Sequence, residues 1–153
     1  MTQINLSRRW LLLGGGAVVA AMGAGAWWRS FPPQHERPKL AVAAAYQQAQ
    51  SGDITLIDIR TPVEWKATGV PVGGQQIDMR RKDFIDAVAK AVGNDRSAPI
   101  ALICARGVRS ARMTLALTQA GFSNIIDVPE GMLGSRDGPG WIASNLPVAR
   151  WQS

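Results

Sequence analysis

Ile100-Ala101-Leu102-Ile103-Cys104-Ala105-Arg106-Gly107-Val108-Arg109-Ser110-Ala111 passes from an apolar run, through a short loop, into residues that suit a helix. Continuous apolarity over Ile100 to Ile103 suits a central parallel strand covered on both faces. Cys104 ends that strand, and a helix is predicted to begin near Ser110. In open parallel sheets, ligands bind beyond the carboxyl ends of the strands. A loop running into a helix N-terminus aims backbone N–H groups into one concavity and favours an anion. Those amides, together with Arg106 and Arg109, favour a thiolate on Cys104. Gly107 permits the positive φ that a tight cradle needs. The arrangement is that of a nucleophile without a histidine base.

The flanking sequence alternates helix and strand. Ala41 to Gln50 is predicted as a helix, stopped at Ser51-Gly52-Asp53. Ile54 to Ile59 reads as a strand, and Pro62 to Ala67 as one or two helical turns with Pro at the start. Gly69 to Gly74 is turn-rich, and Gln75 to Asp78 suits a short strand. Arg80 to Val92 carries apolar residues at Phe84, Val88, Ala91 and Val92, an amphipathic helical pattern. Arg80-Arg81-Lys82 fits its solvated start. Ser110 to Ala120 is a further helix, Ile125 to Val128 a strand, and Trp141 to Asn145 a last helical turn. This order predicts an α/β fold: a central parallel sheet with helices on both faces. Trp65 and Trp141 are expected in the core.

Cys-x-x-Gly-x-Arg-Ser after an apolar strand resembles the active-site loop of the rhodanese-like (sulfurtransferase) family. Leu56-Ile57-Asp58-Ile59-Arg60-Thr61-Pro62-Val63-Glu64-Trp65 resembles the family's other signature, Asp-hydrophobic-Arg followed by Glu-Trp or Glu-Tyr. Glu130-Gly131-Met132, Gly140-Trp141-Ile142 and Leu146-Pro147-Val148 resemble its closing segment. The resemblance covers residues 39–150. It departs at Gly69-Val70-Pro71-Val72-Gly73-Gly74, where the family commonly has Gly-His-Ile-Pro-Gly-Ala. The histidine is absent at Val70, so no role of that residue carries over.

The resemblance implies a two-step sulfur transfer through a Cys104 persulfide. A small anionic donor such as thiosulfate supplies the sulfane sulfur, and a thiol or cyanide accepts it. The loop Ala105, Arg106, Gly107, Val108 and Arg109 would bind the substrate: its amides stabilise the persulfide, and Arg106 and Arg109 attract the donor. Asp58, Arg60 and Glu64 would support the loop or the fold. No metal or organic cofactor is implied.

Two other classes fit parts of the sequence. A phosphatase or arsenate reductase of related fold would need a Cys-x5-Arg loop, one residue longer than this one; here Ser110 stands at that sixth position and Arg109 at the fifth. A non-turnover persulfide carrier, or a docking module for an exported partner protein, would use the same Cys104 and pass its sulfur to a protein acceptor. With one cysteine in the chain, relay to a second internal cysteine is impossible.

Composition narrows the classes further. At 153 residues and 46% hydrophobic, the chain fits one ordinary domain and is too apolar for general disorder. One Cys and one His exclude a disulfide framework and make cysteine- or histidine-rich metal sites untenable. The net charge of +6 is uneven: residues 1–39 carry five basic and one acidic side chain, residues 40–153 twelve and ten. The excess lies on the N-terminal segment rather than on a basic face, so a nucleic-acid partner is not expected.

That segment, residues 1–28, resembles a twin-arginine export signal: Ser7-Arg8-Arg9-Trp10-Leu11-Leu12-Leu13, then a Gly/Ala-rich apolar run. Ala24-Gly25-Ala26 offers a small-residue cleavage site. Residues 10–28, as a helix rising about 1.5 Å per residue, would reach roughly 28 Å, close to a bilayer core of about 30 Å. A cleaved signal and an uncleaved membrane anchor both fit, and both place the domain in the periplasm. Residues 29–38, with three prolines between Phe31 and Pro38, read as a linker.

Overall fold

A computed structural model describes residues 30–152. The leader over residues 1–28 lies outside the described residues. From Pro32 onward the chain forms one unit. Its helices are α1 (Val42–Ser51), α2 (Pro62–Thr68), α3 (Phe84–Ala91), α4 (Val108–Gln119) and α5 (Gly140–Ala143). The strands are β1 (Thr55–Asp58), β2 (Val70–Pro71), β3 (Gly74–Gln76), β4 (Ile100–Ile103), β5 (Ile125–Val128) and β6 (Val148–Ala149).

The apolar run Ile100 to Ile103 is β4, and all its residues are fully buried. The main sheet has the order β3-β1-β4-β5, and every pair is parallel. Ile100 and Leu102 face a layer with Ile57, Ile59 and Ile125, under Phe84 and Val88 of α3 and Leu117 of α4. Ala101 and Ile103 face the other layer with Leu56, Ile126 and Val128, under Val42 and Ala45 of α1 and Trp141 of α5. Helices therefore cover both faces, as the run of unbroken apolar residues requires. Each fully buried Ile or Leu contributes about 1.5–3 kcal/mol relative to an exposed one.

Trp65 and Trp141 are both buried. Trp141 packs edge-on against Tyr46 at 5.7 Å and donates its indole N–H to the Pro147 carbonyl at 2.9 Å.

The elements depart from the sequence expectations at identifiable places. Helix α3 starts at Phe84, not Arg80. The Asp78 carboxylate accepts the Arg80 backbone N–H at 2.9 Å and its side chain at 3.0 Å, which holds a turn ahead of the helix. Helix α4 starts at Val108, two residues before Ser110, because Gly107 turns into the left-handed region at φ 81° and caps it. The strand expected at Gln75–Asp78 begins at Gly74 and ends at Gln76. Val70-Pro71 pairs antiparallel with Val148-Ala149, a ribbon too short to announce itself by alternation. Val70, where the family commonly has histidine, is buried there.

The segment read as a linker is not free throughout. Asp127 donates its backbone N–H to the Pro38 carbonyl, and Leu40 donates to the Asp127 carbonyl, both at 2.9 Å. Lys39 thereby bridges β5 in parallel, and Arg37 donates to the Ser123 carbonyl at 2.9 Å. The strap covers what would otherwise be a bare sheet edge. Among the described residues, no helix is long and apolar enough to cross a membrane.

Candidate active site

Cys104 follows β4 directly, at the carboxyl edge of the sheet, and is 1% exposed. Its thiol donates to the Ser110 hydroxyl oxygen at 3.7 Å. Ser110, on the first turn of α4 and fully buried, donates in turn to the Gly107 carbonyl at 3.1 Å. Ala105, Arg106 and Gly107 make the turn between strand and helix. The first N–H groups of α4 have no intrahelical acceptor, which leaves them for an anion.

A second segment backs this loop. Met132 donates its N–H to the Cys104 carbonyl at 2.8 Å, and Leu133 donates to the Ala105 carbonyl at 2.9 Å. The two chains approach so closely that glycine is required on both sides. A Cβ at Gly107 would collide with the Pro129 carbonyl oxygen, and one at Gly131 would lie 2.5 Å from the Ala105 oxygen. Glu130 fixes the backing segment: its buried carboxylate accepts the N–H groups of Val42 and Gly140, both at 3.1 Å.

The candidate arginines differ. Arg106 is exposed at the loop tip, and among the described residues none holds its guanidinium. Arg109 donates to Glu64 at 2.8 and 2.5 Å, one bond to each carboxylate oxygen. The charge of Arg109 is thus already matched by a carboxylate, whereas that of Arg106 is not. Arg109 still lies near enough for charge on the Cys104 sulfur to act on it; Glu64 first, and Cys104 less, raise it above its ordinary value.

Glu64 also closes a capping box on α2, accepting the Thr61 N–H at 3.0 Å. Arg109 beside it is the largest cause that lowers its carboxyl to about 2; the Thr61 bonds add to this and burial opposes it. Glu64 thus links α2 to the active-site loop.

Asp58 and Arg60 form a separate buried pair. The Arg60 Nε donates to Asp58 Oδ1 at 2.9 Å and its Nη2 to Oδ2 at 2.6 Å. The same guanidinium reaches Thr68 Oγ1 at 2.7 Å and the Gly69 carbonyl at 2.8 Å. The pair therefore ties the carboxyl end of β1 to the turn before β2. It is within electrostatic reach of Arg109 through Asp58, but it makes no hydrogen bond to the Cys104 loop among the described residues.

Sequence reasoning assigned no role to Glu130 or Gly131 beyond their place in a motif, and none to Ser110. Among the described residues no three His, Cys, Asp or Glu side chains cluster as metal ligands.

A parallel sheet with helices on both faces and a cysteine in a strand-to-helix loop is the arrangement of a rhodanese-like domain. The chain belongs to that family, which it matches over residues 41–135. An uncharacterised protein of Rickettsia rickettsii is 30% identical over 115 residues, 71% of this chain and 91% of that one. The polysulfide-sulfur transferase homodimer of Wolinella succinogenes is similar in structure, with a TM-score of 0.58 and 28% identity over 88% of each chain. A rhodanese-related protein of Thermoplasma volcanium superimposes with a TM-score of 0.53 and 27% identity, covering 74% of this chain and 99% of that one.

Proposed function

We propose that this protein is a sulfurtransferase that carries sulfane sulfur on Cys104. The observation that carries the proposal is the position of that thiol, buried between the carboxyl end of β4 and the loop that leads into α4. Family membership and likeness to a polysulfide-sulfur transferase support the same chemistry.

In the first step the Cys104 thiolate attacks the sulfane sulfur of a donor such as thiosulfate. A new S–S bond forms, the donor's S–S bond breaks, and sulfite leaves with the electron pair. The terminal sulfur of the persulfide is then anionic, and the loop amides from Ala105 to Arg109 stabilise it. In the second step a thiolate or cyanide attacks that sulfur, and Cys104 departs as thiolate. Arg106 supplies the unmatched positive charge that draws in the anionic donor. Arg109 holds the loop through Glu64.

A second reading has one observation in its favour. Leu133, bonded through its backbone to Ala105, is 42% exposed beside the loop. An exposed leucine at the mouth suits a protein acceptor, so the domain would be a persulfide carrier rather than a small-molecule enzyme. We place either activity outside the cytoplasmic membrane, on the strength of the resemblance of residues 1–28 to a twin-arginine signal. Cell fractionation tests that placement, and recovery in the cytosol would overturn it.

Intact mass of the purified chain, before and after thiosulfate or polysulfide, tests the central proposal. The expected result is a gain of one sulfur atom in the native protein and none in Cys104→Ser. Equal gain in both would overturn the mechanism. Turnover with cyanide or a small thiol supports the enzyme, and release to a protein alone supports the carrier.

A further inference from the structure

The strands of the main sheet all run parallel, so their carboxyl ends open onto the one edge that carries Cys104. The segments that leave them lie side by side. Ile59 donates its N–H to the Ile103 carbonyl at 3.0 Å, and Met79 donates to the Ile59 carbonyl at 3.3 Å. Arg80, Arg81 and Lys82 follow Met79 directly and are exposed, with only the end of β1 between them and the Cys104 loop.

This edge presents cations to solvent. Arg80 pairs with Asp78 at 2.6 Å, but its side chain is 64% exposed and the carboxylate 14%, so solvent meets the cation. Arg81 faces Asp83 at 2.7 Å, both open to solvent. Among the described residues neither Lys82 nor Arg106 forms an ion pair. Asp86, the next exposed acid, shares a different hollow with Lys90 and Arg96. Arg80 is within electrostatic reach of the loop's own ion pair: Asp78 foremost, and Glu64 beyond it, raise its guanidinium above the ordinary value, and Arg109 opposes them.

Apolar side chains flank the same mouth. Val63 is 76% exposed, next to the Glu64 that grips Arg109, and the exposed Leu133 is bonded through its N–H to Ala105. They follow β1 and β5, the strands on either side of β4. Cys104 itself is buried, so an acceptor sulfur must approach through this rim. Cyanide or a small thiol would leave most of it unused.

We propose that the sulfur acceptor is a protein thiol on an acidic segment, docked with carboxylates against Arg80, Lys82 and Arg106 and with apolar side chains against Val63 and Leu133. For its chemistry this rests on the sulfurtransferase reading. The acceptor thiolate attacks the terminal sulfur of the Cys104 persulfide. A new S–S bond forms on the acceptor, the bond to Cys104 breaks, and Cys104 keeps the electron pair as thiolate. Opposite charge speeds the encounter and fixes its register, and the apolar contacts hold the docked pair.

Two short peptides test this on the full-length protein. Each has a central cysteine between leucines, flanked by glutamates in one and by lysines in the other. With sulfur-loaded protein, transfer to the peptide thiol is followed by mass. With unloaded protein, the same peptides carry a pyridyl disulfide: the Cys104 thiolate attacks the peptide sulfur, and the pyridinethiolate that leaves is followed by absorbance. The chain has one cysteine, so this exchange reports that site alone. The acidic peptide is expected to react about tenfold faster than the basic one at low salt, and added salt is expected to bring the ratio toward one. Lys82→Glu is expected to lower the ratio about threefold and to leave transfer to mercaptoethanol unchanged. Lys90→Glu, the same charge change on the Asp86 hollow, is expected to leave the ratio as it is. Equal rates for the two peptides, equal effects of the two variants, or no exchange with either peptide would overturn the proposal. The exchange needs no sulfur donor. Preference in exchange without sulfur loading would uphold the docking surface and defeat the sulfurtransferase reading; loading and transfer without preference would do the reverse.

Discussion

Arg109 grips both carboxylate oxygens of Glu64 across 45 residues of sequence, joining the first turn of the loop helix to the cap of α2. The carboxyl of Glu64 is lowered from 4.5 to about 2. A lowered carboxyl stabilises the fold above its unfolded value and loses that contribution as the pH falls through its folded value. The window is therefore about 4.5 down to about 2. Both side chains are near 30% exposed, so solvent screening reduces the gain to about 1 kcal/mol. Glu64→Gln retains a capping-box side chain and removes the charge. Urea unfolding should show it less stable than the native protein at pH 7. The gap should close as the pH falls through the window, and a constant gap would show that the ion pair contributes nothing.

Asp58 and Arg60 present the opposite case, a pair with no access to solvent. Removing one partner from such a pair costs about 3–5 kcal/mol, because the other charge stays buried and unmatched. Asp58→Asn is expected to destabilise the fold by that order, and Asp58→Leu combined with Arg60→Met by less. Arg60 also holds the Gly69 carbonyl, so part of the loss will remain in the double variant. Chemical denaturation of the three proteins measures this. A double variant worse than the single would mean that Arg60 acts mainly through the Thr68–Gly69 turn.

The parts of this architecture that were legible in the sequence are those set by local pattern. Ile100 to Ile103 declared a central strand because only a strand covered on both faces tolerates an unbroken apolar run. Gly52 marked the end of α1 because the chain turns left-handed there. Other features depend on distance in sequence. The site arginines look alike in the loop, and only tertiary geometry brings Glu64 to Arg109 and leaves Arg106 exposed. His35 sat in a proline-rich stretch that read as linker, while its partner lies 92 residues away. Nothing local marks such a pair. The ribbon of Val70-Pro71 with Val148-Ala149 is too short for any periodicity.

Gly107 separates conformational strain from steric collision. Its φ of 81° disfavours any side chain, and a Cβ would strike the Pro129 carbonyl. Gly52 has nearly the same φ, 80°, with open space around the position. Both alanine variants carry the backbone penalty, about 1 kcal/mol. Gly107→Ala must in addition push the 129–134 segment away from the Cys104 loop. It is expected to unfold at lower denaturant than Gly52→Ala and to load sulfur more slowly, while Gly52→Ala loads normally. Equal behaviour of the two would show that the backing segment yields without consequence.

The two loop arginines should separate in kinetics. Arg106 is exposed and unheld by the described residues, so its charge is free to meet an incoming anion. Arg106→Ala is expected to raise the thiosulfate KM roughly tenfold, the scale of one lost charge-assisted hydrogen bond, with kcat nearly unchanged. Its effect should shrink with added salt, because the attraction acts through solvent. Arg109 is committed to Glu64 and sits beside the sulfur. Arg109→Ala is expected to lower kcat as well as to destabilise the fold, because the loop loses its tether and the persulfide its nearby cation. Steady-state rates at two ionic strengths check both expectations. A KM effect confined to Arg109→Ala would mean that the donor displaces Glu64 and recruits Arg109 directly.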